Sequence, residues 1–366
     1  MRVHRETVLV GMSGGVDSSV AALLLKKKGY KVIGAFMKNY SDRKDPTSGE
    51  CHWREEWRMA QRVAGMLNIP IVMIDSEREY KRSVIDCMYK DYASGLTPNP
   101  DILCNRVIKF PFLWKKARSL GADFIATGHY ARVQHGTKEY ELLRGADNDK
   151  DQSYFLYELT QKDLRHTLFP LGGYRKDGIR ALARKNGFPN WNKQGTRGIC
   201  FIGKMDMKAF LKKRIKKKKG DVMSPRGEII GTHPGSVFFT IGERVGEGKE
   251  FVFNEKAELW RKRRLYVAAK KRGNVLVVVP EGDSLLKGKK VFVRKFLFVA
   301  HNAQIYSRRL RGRIRHRGVL HYGSLTRRKG RFVFHFKKPV WGIAEGQALV
   351  IYDGERVVGG GEMRLR

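Results

Sequence analysis

The sequence predicts an α/β N-terminal domain with a mostly parallel sheet, followed by a small β-rich domain and then a β-barrel or sandwich. Over the first 200 residues, apolar strand-like runs alternate with helical patterns, which is typical of parallel strands joined by crossover helices. Beyond Gly203 the helical periodicity largely disappears, and glycine-punctuated β-type segments recur at about ten-residue spacing. A chain of 366 residues also exceeds what one core usually holds, which favours two or three domains.

The first strand, Thr7–Gly11, is predicted to lead into a helix over residues 18–28 through the loop SGGVDSS. Gly14 and Gly15 let backbone N–H groups approach an anion closely, the serines add hydroxyl donors, and the helix N-terminus adds partial positive charge. The loop lacks the Gly-Lys-Ser/Thr ending of a Walker loop, and Asp17 is suited to holding Mg²⁺ against a pyrophosphate. The sequence therefore predicts a phosphate-binding loop here.

Further strands are predicted at residues 32–37, 69–75 and 122–129, and helices at residues 53–67 and 112–120. In a parallel sheet, ligands gather at the carboxyl ends of the strands. Met37 ends one of these strands, and Gly128 and His129 end another. We therefore expect the nucleotide and the group that it activates to share one cleft.

Four cysteines are present, and they share no CxxC spacing. In a chain with no apolar leader, a standing disulfide framework is not expected. We interpret Cys51 and Cys87 as small hydrophobic side chains. A zinc site at Cys51 and His52 would lack its remaining ligands at any usual spacing.

The other two cysteines lie in unusual surroundings. Cys104 closes the run TPNPDILCN, whose prolines and asparagines exclude a helix before Asp101 and hold that carboxylate three residues ahead of the thiol. Cys200 lies in GTRGICFIG, a glycine-flanked segment that is predicted to be a mobile loop leading into a short strand. Both thiols are candidates for chemistry, although burial as a small hydrophobe is the commoner role of a cysteine.

The chain is strongly basic, with 74 Lys and Arg against 36 Asp and Glu and a formal net charge of +38. Nucleic acid is the polyanion that such a surface favours, whereas a general lysine-rich bias would raise the count without any binding role. The basic run over residues 212–219 is either a solvated face or a phosphate contact. No run approaches the roughly 18 apolar residues of a membrane span, so we expect a cytoplasmic protein with no membrane partner.

Six motifs, taken in order, carry a resemblance to the tRNA-specific 2-thiouridylases: SGGVDSS, TPNPDILCN, ATGHYARV, GADNDKDQSYFLY, GTRGICFIG and HPGSVFFTIGERVG. The similarity spans essentially the whole chain, including residues 339–361. The first motif also resembles the pyrophosphate loop (PP-loop) of N-type ATP pyrophosphatases, which cleave ATP between the α and β phosphates. The resemblance implies ATP- and Mg²⁺-dependent 2-thiolation of the wobble uridine of tRNA, with AMP and pyrophosphate as products.

The resemblance also implies a domain plan. Residues 1–204 would form a catalytic PP-loop domain with an adenine nucleotide α-hydrolase-like fold. Residues 205–272 would form a small, β-rich central domain, and residues 273–366 a C-terminal β-barrel that binds tRNA.

Three residues take catalytic roles by this resemblance. Cys200 would carry the sulfur as a persulfide, delivered by a cysteine desulfurase or a sulfur-relay protein. Cys104 would be the second thiol, and turnover would leave a Cys104–Cys200 disulfide that a cellular reductant opens. Asp101 would move protons at the target base.

Binding roles are carried over in the same way. The predicted ATP contacts are Gly11, Met12, Ser13, Gly14, Gly15, Val16, Asp17, Ser18, Met37 and Gly128, with Asp17 also a candidate ligand of Mg²⁺. The flipped target base would be contacted by Asn99, Pro100 and Asp101. The predicted contacts to the rest of the tRNA are His129, Lys150, Asp151, Gln152, Arg315, His316 and Gln347.

The chain departs from the family pattern in its second half. It reads RHR at residues 315–317, where an aromatic residue more often stands beside the arginine, and it has Glu243 and Val245 where Gln and Lys are usual. Two other interpretations stay open. One is an N-type pyrophosphatase that adenylates its substrate and then uses an amine, such as a tRNA lysidine synthetase or an amide-forming ligase, which would not need Cys104 and Cys200. The other is a non-enzymatic RNA-binding factor with a vestigial ATP loop.

Overall fold

The computed structural model describes residues 5–42, 50–135, 139–194, 206–246, 248, 250–300 and 309–365. The strands of the N-terminal part are β1 (Thr7–Gly11), β2 (Lys31–Lys38), β3 (Ile71–Asp75), β4 (Phe124–Ala126), β5 (Ala131–His135), β6 (Tyr140–Arg144) and β7 (Thr167–Leu168). Five of them form a parallel sheet in the order β3-β2-β1-β4-β7. The predicted α/β domain is confirmed.

Helices cover both faces of this sheet. They are Val16–Lys27, His52–Met66, Glu77–Tyr80, Asp86–Ala93, Pro100–Cys104, Phe110–Ser119, Gln161–Arg165 and Lys176–Lys185, with a 3₁₀ turn at Ser153–Phe155. Val8, Leu9 and Val10 of β1 have no exposed surface, as expected of a central parallel strand that is covered on both faces.

Strand β4 is shorter than predicted, because it ends at Ala126 rather than near His129. The reason lies at Gly128, which passes directly against the start of the helix Val16–Lys27: a Cβ there would lie 2.9 Å from the backbone N of Ser18. The chain must leave the sheet at this point in order to pass the helix.

Two helical stretches of this domain contain π-helical turns. Lys81–Ile85 joins Glu77–Tyr80 to Asp86–Ala93, and Asn105–Lys109 joins Pro100–Cys104 to Phe110–Ser119. Such turns insert a residue into the helix and are often found at functional sites.

The central part is a six-stranded sheet. Its strands are β8 (Gly220–Met223), β9 (Ile229–His233), β10 (Arg244–Val245), β11 (Val252–Phe253), β12 (Leu265–Lys271) and β13 (Val275–Pro280), in the order β10-β12-β13-β8-β9-β11, with short helices Met207–Lys212 and Glu258–Arg261 and 3₁₀ turns at Ser236–Phe238 and Glu255–Ala257. The antiparallel hairpin of β12 and β13 spans residue 272, where the sequence had placed a domain boundary. The central sheet therefore continues to Pro280.

The C-terminal part is a closed antiparallel barrel, preceded by a 3₁₀ turn at Ser284–Leu286. Its strands are β14 (Lys287–Phe298), β15 (Leu310–Arg313), β16 (His321–Arg328), β17 (Arg331–Trp341), β18 (Ala348–Asp353) and β19 (Arg356–Arg364). The order is β14-β17-β16-β15-β18-β19, and β19 pairs back to β14, which closes the barrel. Of the two forms that the strand pattern allowed, the barrel is the one observed.

The barrel is joined to the N-terminal domain along one side. The β5–β6 hairpin extends the barrel sheet through the pairing of Leu143 with Arg356. Beside it, Tyr154 Oη donates to the carbonyl oxygen of Ala348 at 2.8 Å. Within the described residues, no helix is both long and apolar enough to cross a lipid bilayer.

Candidate active site

The loop after β1 is shaped by its serines and glycines. The backbone N–H of Ser13 donates to Ser18 Oγ at 3.1 Å, and the hydroxyls of Ser18 and Ser19 donate to the carbonyl oxygen of Gly15 at 3.1 and 3.0 Å. Gly15 is the N-cap of the helix Val16–Lys27 and supplies no capping side chain. The N-terminus of this helix therefore presents backbone N–H groups and partial positive charge with no capping side chain, as phosphate sites do, and Asp17 lies in its first turn.

Two close contacts explain why glycines stand in this loop. Gly14 has φ +71°, and a Cβ on it would lie 2.4 Å from the carbonyl oxygen of Glu56 on the helix His52–Met66. Gly128 meets the other side of the loop, with 2.9 Å from a Cβ to Ser18 N and 3.0 Å to the carbonyl carbon of Asp17. Gly14 and Gly128 thus enclose the loop from two sides, and Gly128 packs against the start of the helix.

Asp17 is held by two side chains from distant parts of the chain. Tyr130 Oη donates to Asp17 Oδ1 at 2.7 Å, and Lys176 Nζ lies 2.6 Å from the same oxygen. Lys176 begins the helix Lys176–Lys185 and is only 9% exposed. Burial and the neighbouring carboxylate of Asp17 raise the pKa of Tyr130, so its hydroxyl stays protonated and donates.

This arrangement is compatible with a magnesium ion at Asp17. Within the described residues both hydrogen bonds to Asp17 fall on Oδ1, and the side chain is 32% exposed, so Oδ2 is open to a ligand. Mg²⁺ bound to a nucleotide takes most of its ligands from phosphates and water, so one carboxylate oxygen suffices. No group of three or more His, Cys, Asp or Glu suited to a metal occurs among the described residues.

Asn190 braces the loop from behind. Its Nδ2 donates to the carbonyl oxygen of Gly14 and to Ser19 Oγ, each at 3.0 Å, and the residue is 1% exposed. Neither Asn190 nor Lys176 was singled out from the sequence, because each acts across more than 150 positions of chain.

His129 lies beneath the surface of the cleft. It is 8% exposed, its Nδ1 is 2.7 Å from Thr127 Oγ1, and its ring packs between Phe110 and Phe169. Burial, together with the ammonium of Lys109, holds its pKa well below the usual value. The imidazole is therefore neutral, and it offers little surface to an RNA in this arrangement. Met37, at the end of β2, is likewise buried.

The segment around Cys104 begins a helix one residue earlier than predicted. Pro100 is the first helical residue and Asn99 is the N-cap, with its side-chain oxygen accepting from Ile102 N at 3.3 Å. Proline is tolerated there, because the first N–H groups of a helix have no partner within the helix, and its fixed φ suits that position. Asp101 lies in the first turn, and Cys104 is fully buried at the junction with the π-helical turn.

A loop of the barrel docks on the residues just ahead of this helix. Thr97 N donates to the carbonyl oxygen of Glu345 at 2.9 Å, and Gln347 Nε2 lies 3.5 Å from the carbonyl oxygen of Pro98. Gly346 has φ +92°, and a Cβ there would lie 2.8 Å from Thr97 N, so the approach is close. The structure thus brings Gln347 next to the predicted target-base residues.

The central domain contacts the same segment. Lys270 Nζ donates to the carbonyl oxygen of Gly95 at 3.0 Å, and Thr240 Oγ1 lies 3.4 Å from Thr97 Oγ1. Burial lowers the pKa of Lys270 to about 8. Both trailing domains therefore position the chain that leads to Cys104.

Asp151 has a structural position. Its carboxylate has no exposed surface and accepts from the guanidinium groups of Arg144 and Arg313, at 3.2 and 2.8 Å, and from the backbone N–H groups of Gly145 and Ser153. The carboxylate therefore ties the barrel to the N-terminal domain, and the contact with tRNA assigned to Asp151 stays a prediction. Its neighbour Lys150 is exposed, and Gln152 Oε1 accepts from Tyr130 N at 3.0 Å.

The RHR turn of the barrel lies beside the Cys104 region. The His316 ring is 4.3 Å from that of Phe155, whose carbonyl oxygen accepts from Asn105 Nδ2 at 3.1 Å. Burial, together with the charge of Arg313, lowers the pKa of His316 to about 4, while Arg315 beside it is exposed. A neutral imidazole and an exposed guanidinium are groups that can pack on a base and hold a phosphate.

The predicted residues thus fall into two groups in the N-terminal domain. The phosphate loop contacts the helix Phe110–Ser119, since a Cβ on Gly11 would meet Leu113 Cδ1 at 3.3 Å. Leu113 lies nine residues along the same helical stretch from Cys104, which is roughly 14 Å at 1.5 Å per residue. Cys200 lies outside the described residues.

Three family profiles match successive parts of the chain. Residues 6–204 match the tRNA methyl transferase HUP domain, residues 208–281 the tRNA methyl transferase PRC-barrel domain, and residues 288–363 the aminomethyltransferase beta-barrel domain. The end of the second match at residue 281 agrees with the end of the central sheet at Pro280.

Several curated proteins are similar over nearly the full length. The tRNA-specific 2-thiouridylase MnmA of Dichelobacter nodosus is 41% identical over 366 residues, covering 98% of this chain and 94% of that protein. The protein of the same name from Nitrosomonas eutropha is 39% identical, covering 98% of both chains. The one from Listeria innocua is 40% identical, covering 97% of this chain and 93% of that protein.

Proposed function

Since the chain belongs to the family of tRNA-specific 2-thiouridylases, we propose that it replaces the 2-oxygen of the wobble uridine of tRNA with sulfur at the expense of ATP. It is an enzyme that modifies tRNA by sulfur transfer. The observation that carries the proposal is that one domain contains two features. One is a glycine-serine loop whose following helix has no capping side chain, and the other is a cysteine close to the place where the barrel docks.

The loop supports the use of ATP. A uracil carbonyl oxygen is a poor leaving group, so attack of the 2-oxygen on the α-phosphorus, with pyrophosphate leaving, converts it into a phosphate ester that can depart as AMP. The N–H groups at the start of the helix Val16–Lys27 would hold the phosphates. The gap between Gly128 and Ser18 is so narrow that only a residue without a side chain fits beside the loop. If Mg²⁺ accompanies the nucleotide, Asp17 Oδ2 would hold it and the ion would neutralise phosphate charge.

Lys176 adds a fixed positive charge to this loop. Its ammonium lies against Asp17 and is largely buried, so it orients that carboxylate from a fixed position. A buried charge-assisted hydrogen bond of this kind is stronger than an exposed ion pair. We therefore assign Lys176 a positioning role in adenylation.

Sulfur transfer is assigned to Cys200 and Cys104. A persulfide on Cys200, supplied by a cysteine desulfurase or a relay protein, would provide the sulfur that attacks carbon 2 as AMP leaves. Attack of the Cys104 thiolate on the sulfur of Cys200 then breaks the remaining S–S bond and leaves the new sulfur on the base. The Cys104–Cys200 disulfide that forms must be opened by a two-electron reductant before the next turnover.

The neighbours of Cys104 support recognition of the base at this place. Asn99 caps its helix and Pro100 and Asp101 begin it, Gln347 approaches from the barrel, and His316 packs beside Phe155. A base removed from the anticodon stack needs polar groups for its edge and a ring or guanidinium plane for its face. Asp101 would move protons to or from that edge of the base.

The nature of the transferred group can be tested directly, because the names of the matched family profiles mention methyl transfer whereas the relatives are thiouridylases. The experiment is mass spectrometry of nucleosides from tRNA incubated with the protein, ATP, Mg²⁺ and a persulfide source. The proposal expects 2-thiouridine that depends on ATP and is lost in Cys104→Ala and Cys200→Ala.

Cys87→Ala is the matched control, because Cys87 is exposed and lies on a different helix. Full activity of Cys104→Ala would contradict the role of that thiol. Formation of AMP and pyrophosphate without any thiolated nucleoside, even with persulfide present, would favour an amine acceptor instead.

A further inference from the structure

The barrel contains a long stretch without any acidic residue. Residues 284–344 include 17 Lys and Arg and no Asp or Glu. These 61 residues therefore carry 17 of the 38 net positive charges, which is more than an even spread over 366 residues would give them. A surface of one sign attracts a polyanion of the opposite sign.

Part of this charge lies at the end of the barrel opposite the active site. The loop that holds Gln347 and the turn that holds His316 are at one end, where β17 and β15 finish. The tight turn between β16 and β17 is at the other end. The eight residues of β16 place its ends roughly 24 Å apart at about 3.4 Å per residue.

Four cations cluster on this far turn: Arg327, Arg328, Lys329 and Arg331, which we call the distal patch. All four are exposed, and within the described part of the chain none of them forms an ion pair or a side-chain hydrogen bond. Nearby Arg294, by contrast, is neutralised by Glu362 at 2.8 Å. The distal patch therefore keeps its full charge for an external partner.

An aromatic cluster supports the patch. The rings of Phe296 and Phe332 are stacked with centroids 4.7 Å apart, and Phe298 meets Phe296 edge-on at 4.8 Å. A bulge between Arg294 and Leu297, where Lys295 has φ +51°, bends β14 in the part of the strand that carries Phe296 and Phe298.

The distal patch and the aromatic cluster together contain both kinds of group that bind RNA, namely cations and aromatic rings. The Arg327 guanidinium lies 5.5 Å from the centre of the Phe332 ring, which restrains it over the aromatic face. Phe298 remains 37% exposed. Interleaved cations and aromatic rings are the composition of surfaces that hold RNA backbone and bases.

We propose that the distal patch is a second tRNA-binding surface, which holds the phosphate backbone of the tRNA outside the anticodon loop. The inference rests on the proposed function, since that function places the target base at the opposite end of the barrel. RNA is favoured over an acidic protein because the opposite end of the same barrel lies at the proposed base-binding site. One tRNA bound there can span the roughly 24 Å from that end of the barrel to the distal patch.

The test compares two RNA probes, full-length tRNA and the isolated anticodon stem-loop, by fluorescence anisotropy with the full chain. The triple variant Arg327→Gln/Arg328→Gln/Arg331→Gln should bind full-length tRNA about 10- to 100-fold more weakly at moderate salt and bind the stem-loop as the wild type does. If three phosphate contacts are lost, the slope of log K against log salt should become shallower by about 2 to 3 for full-length tRNA.

The matched control is Lys27→Gln/Lys28→Gln/Lys31→Gln, which removes three exposed charges at the end of the N-terminal sheet where β2 begins, opposite the phosphate loop. It should leave both affinities and the slope unchanged. Wild-type affinity of the triple variant for full-length tRNA would overturn the inference and assign the patch to another polyanion. An equal loss for both probes would also overturn it, because the patch would then act at the anticodon. Thiolation of saturating tRNA by the triple variant tests the proposed function separately.

Discussion

Lys176 Nζ lies 2.6 Å from Asp17 Oδ1, although 159 positions separate the two residues. The contact joins the start of one helix to the start of another across the phosphate loop. It fixes the carboxylate of Asp17 with a largely buried cation, and it makes the loop depend on a segment that carries no recognisable motif.

Lys176→Met should slow ATP-dependent formation of AMP in the presence of tRNA by about 10- to 100-fold, because Asp17 loses the buried partner that orients its carboxylate. The measurement is release of labelled pyrophosphate under single turnover. Lys185→Met, at the exposed end of the same helix, is the control and should be unaffected. Unchanged adenylation in Lys176→Met would remove that residue from the site.

Gly128→Ala should abolish ATP binding while it leaves tRNA affinity intact, because the new methyl group would lie 2.9 Å from Ser18 N and displace the loop. Isothermal titration with ATP measures the effect. Gly173→Ala is the control, since a Cβ there meets nothing within 4 Å. Normal ATP affinity in Gly128→Ala would mean that the loop shifts at no cost.

Arg313→Met should lower the free energy of unfolding by about 1.5–3 kcal/mol, because the fully buried carboxylate of Asp151 loses one of its two arginines and keeps Arg144 and two backbone N–H donors. Urea unfolding gives the value. Glu355→Gln removes the exposed ion pair with Arg132 and should cost less than about 1 kcal/mol. Similar small losses in both variants would show that the buried network contributes little.

Cys104 should resist alkylation by iodoacetamide in the absence of tRNA, because it has no exposed surface, whereas the exposed Cys87 should react readily. Peptide mass spectrometry over time resolves the two thiols. Rapid labelling of Cys104 in the folded protein would show that its segment opens without substrate.

Stability should fall as the pH drops below about 6.5, and His129 should contribute to the fall. Its pKa is depressed by burial, so the unfolded chain takes up a proton that the folded chain does not, and the folded state loses at most about 1.4 kcal/mol per pH unit for that group. Above the unfolded pKa there is no penalty. Urea unfolding between pH 7 and 5 should show a shallower dependence for His129→Phe than for the wild type, while the exposed His135→Phe should match the wild type.

The fold could be predicted well where a local pattern determines it. Alternating apolar runs and helical patterns gave the parallel sheet, and glycine spacing gave the β-rich second half. The ends of elements were less predictable: β4 stops at Ala126 because of a tertiary contact at Gly128, and the helix before Cys104 starts at Pro100 because proline suits a first helical position.

The site could be predicted only as far as its motifs reach. The phosphate loop, Asn99 to Cys104 and Gln347 lie in recognisable motifs, and the structure brings Gln347 to Pro98. Lys176 and Asn190 have no local signal, since their partners are fixed by the tertiary fold alone. Asp151 shows the converse, because a charged residue inside a motif turned out to be a buried connection between domains.

The contacts that hold residues 95–98 have a consequence for biosynthesis. Lys270 holds Gly95, and Glu345, Gly346 and Gln347 hold Thr97 and Pro98, so the peptide ahead of Cys104 acquires its last partners from near the end of translation. A nascent chain that has completed only its nucleotide domain would lack that support. The segment ahead of Cys104 thus reaches its full set of described contacts only when the final strands of the barrel have left the ribosome.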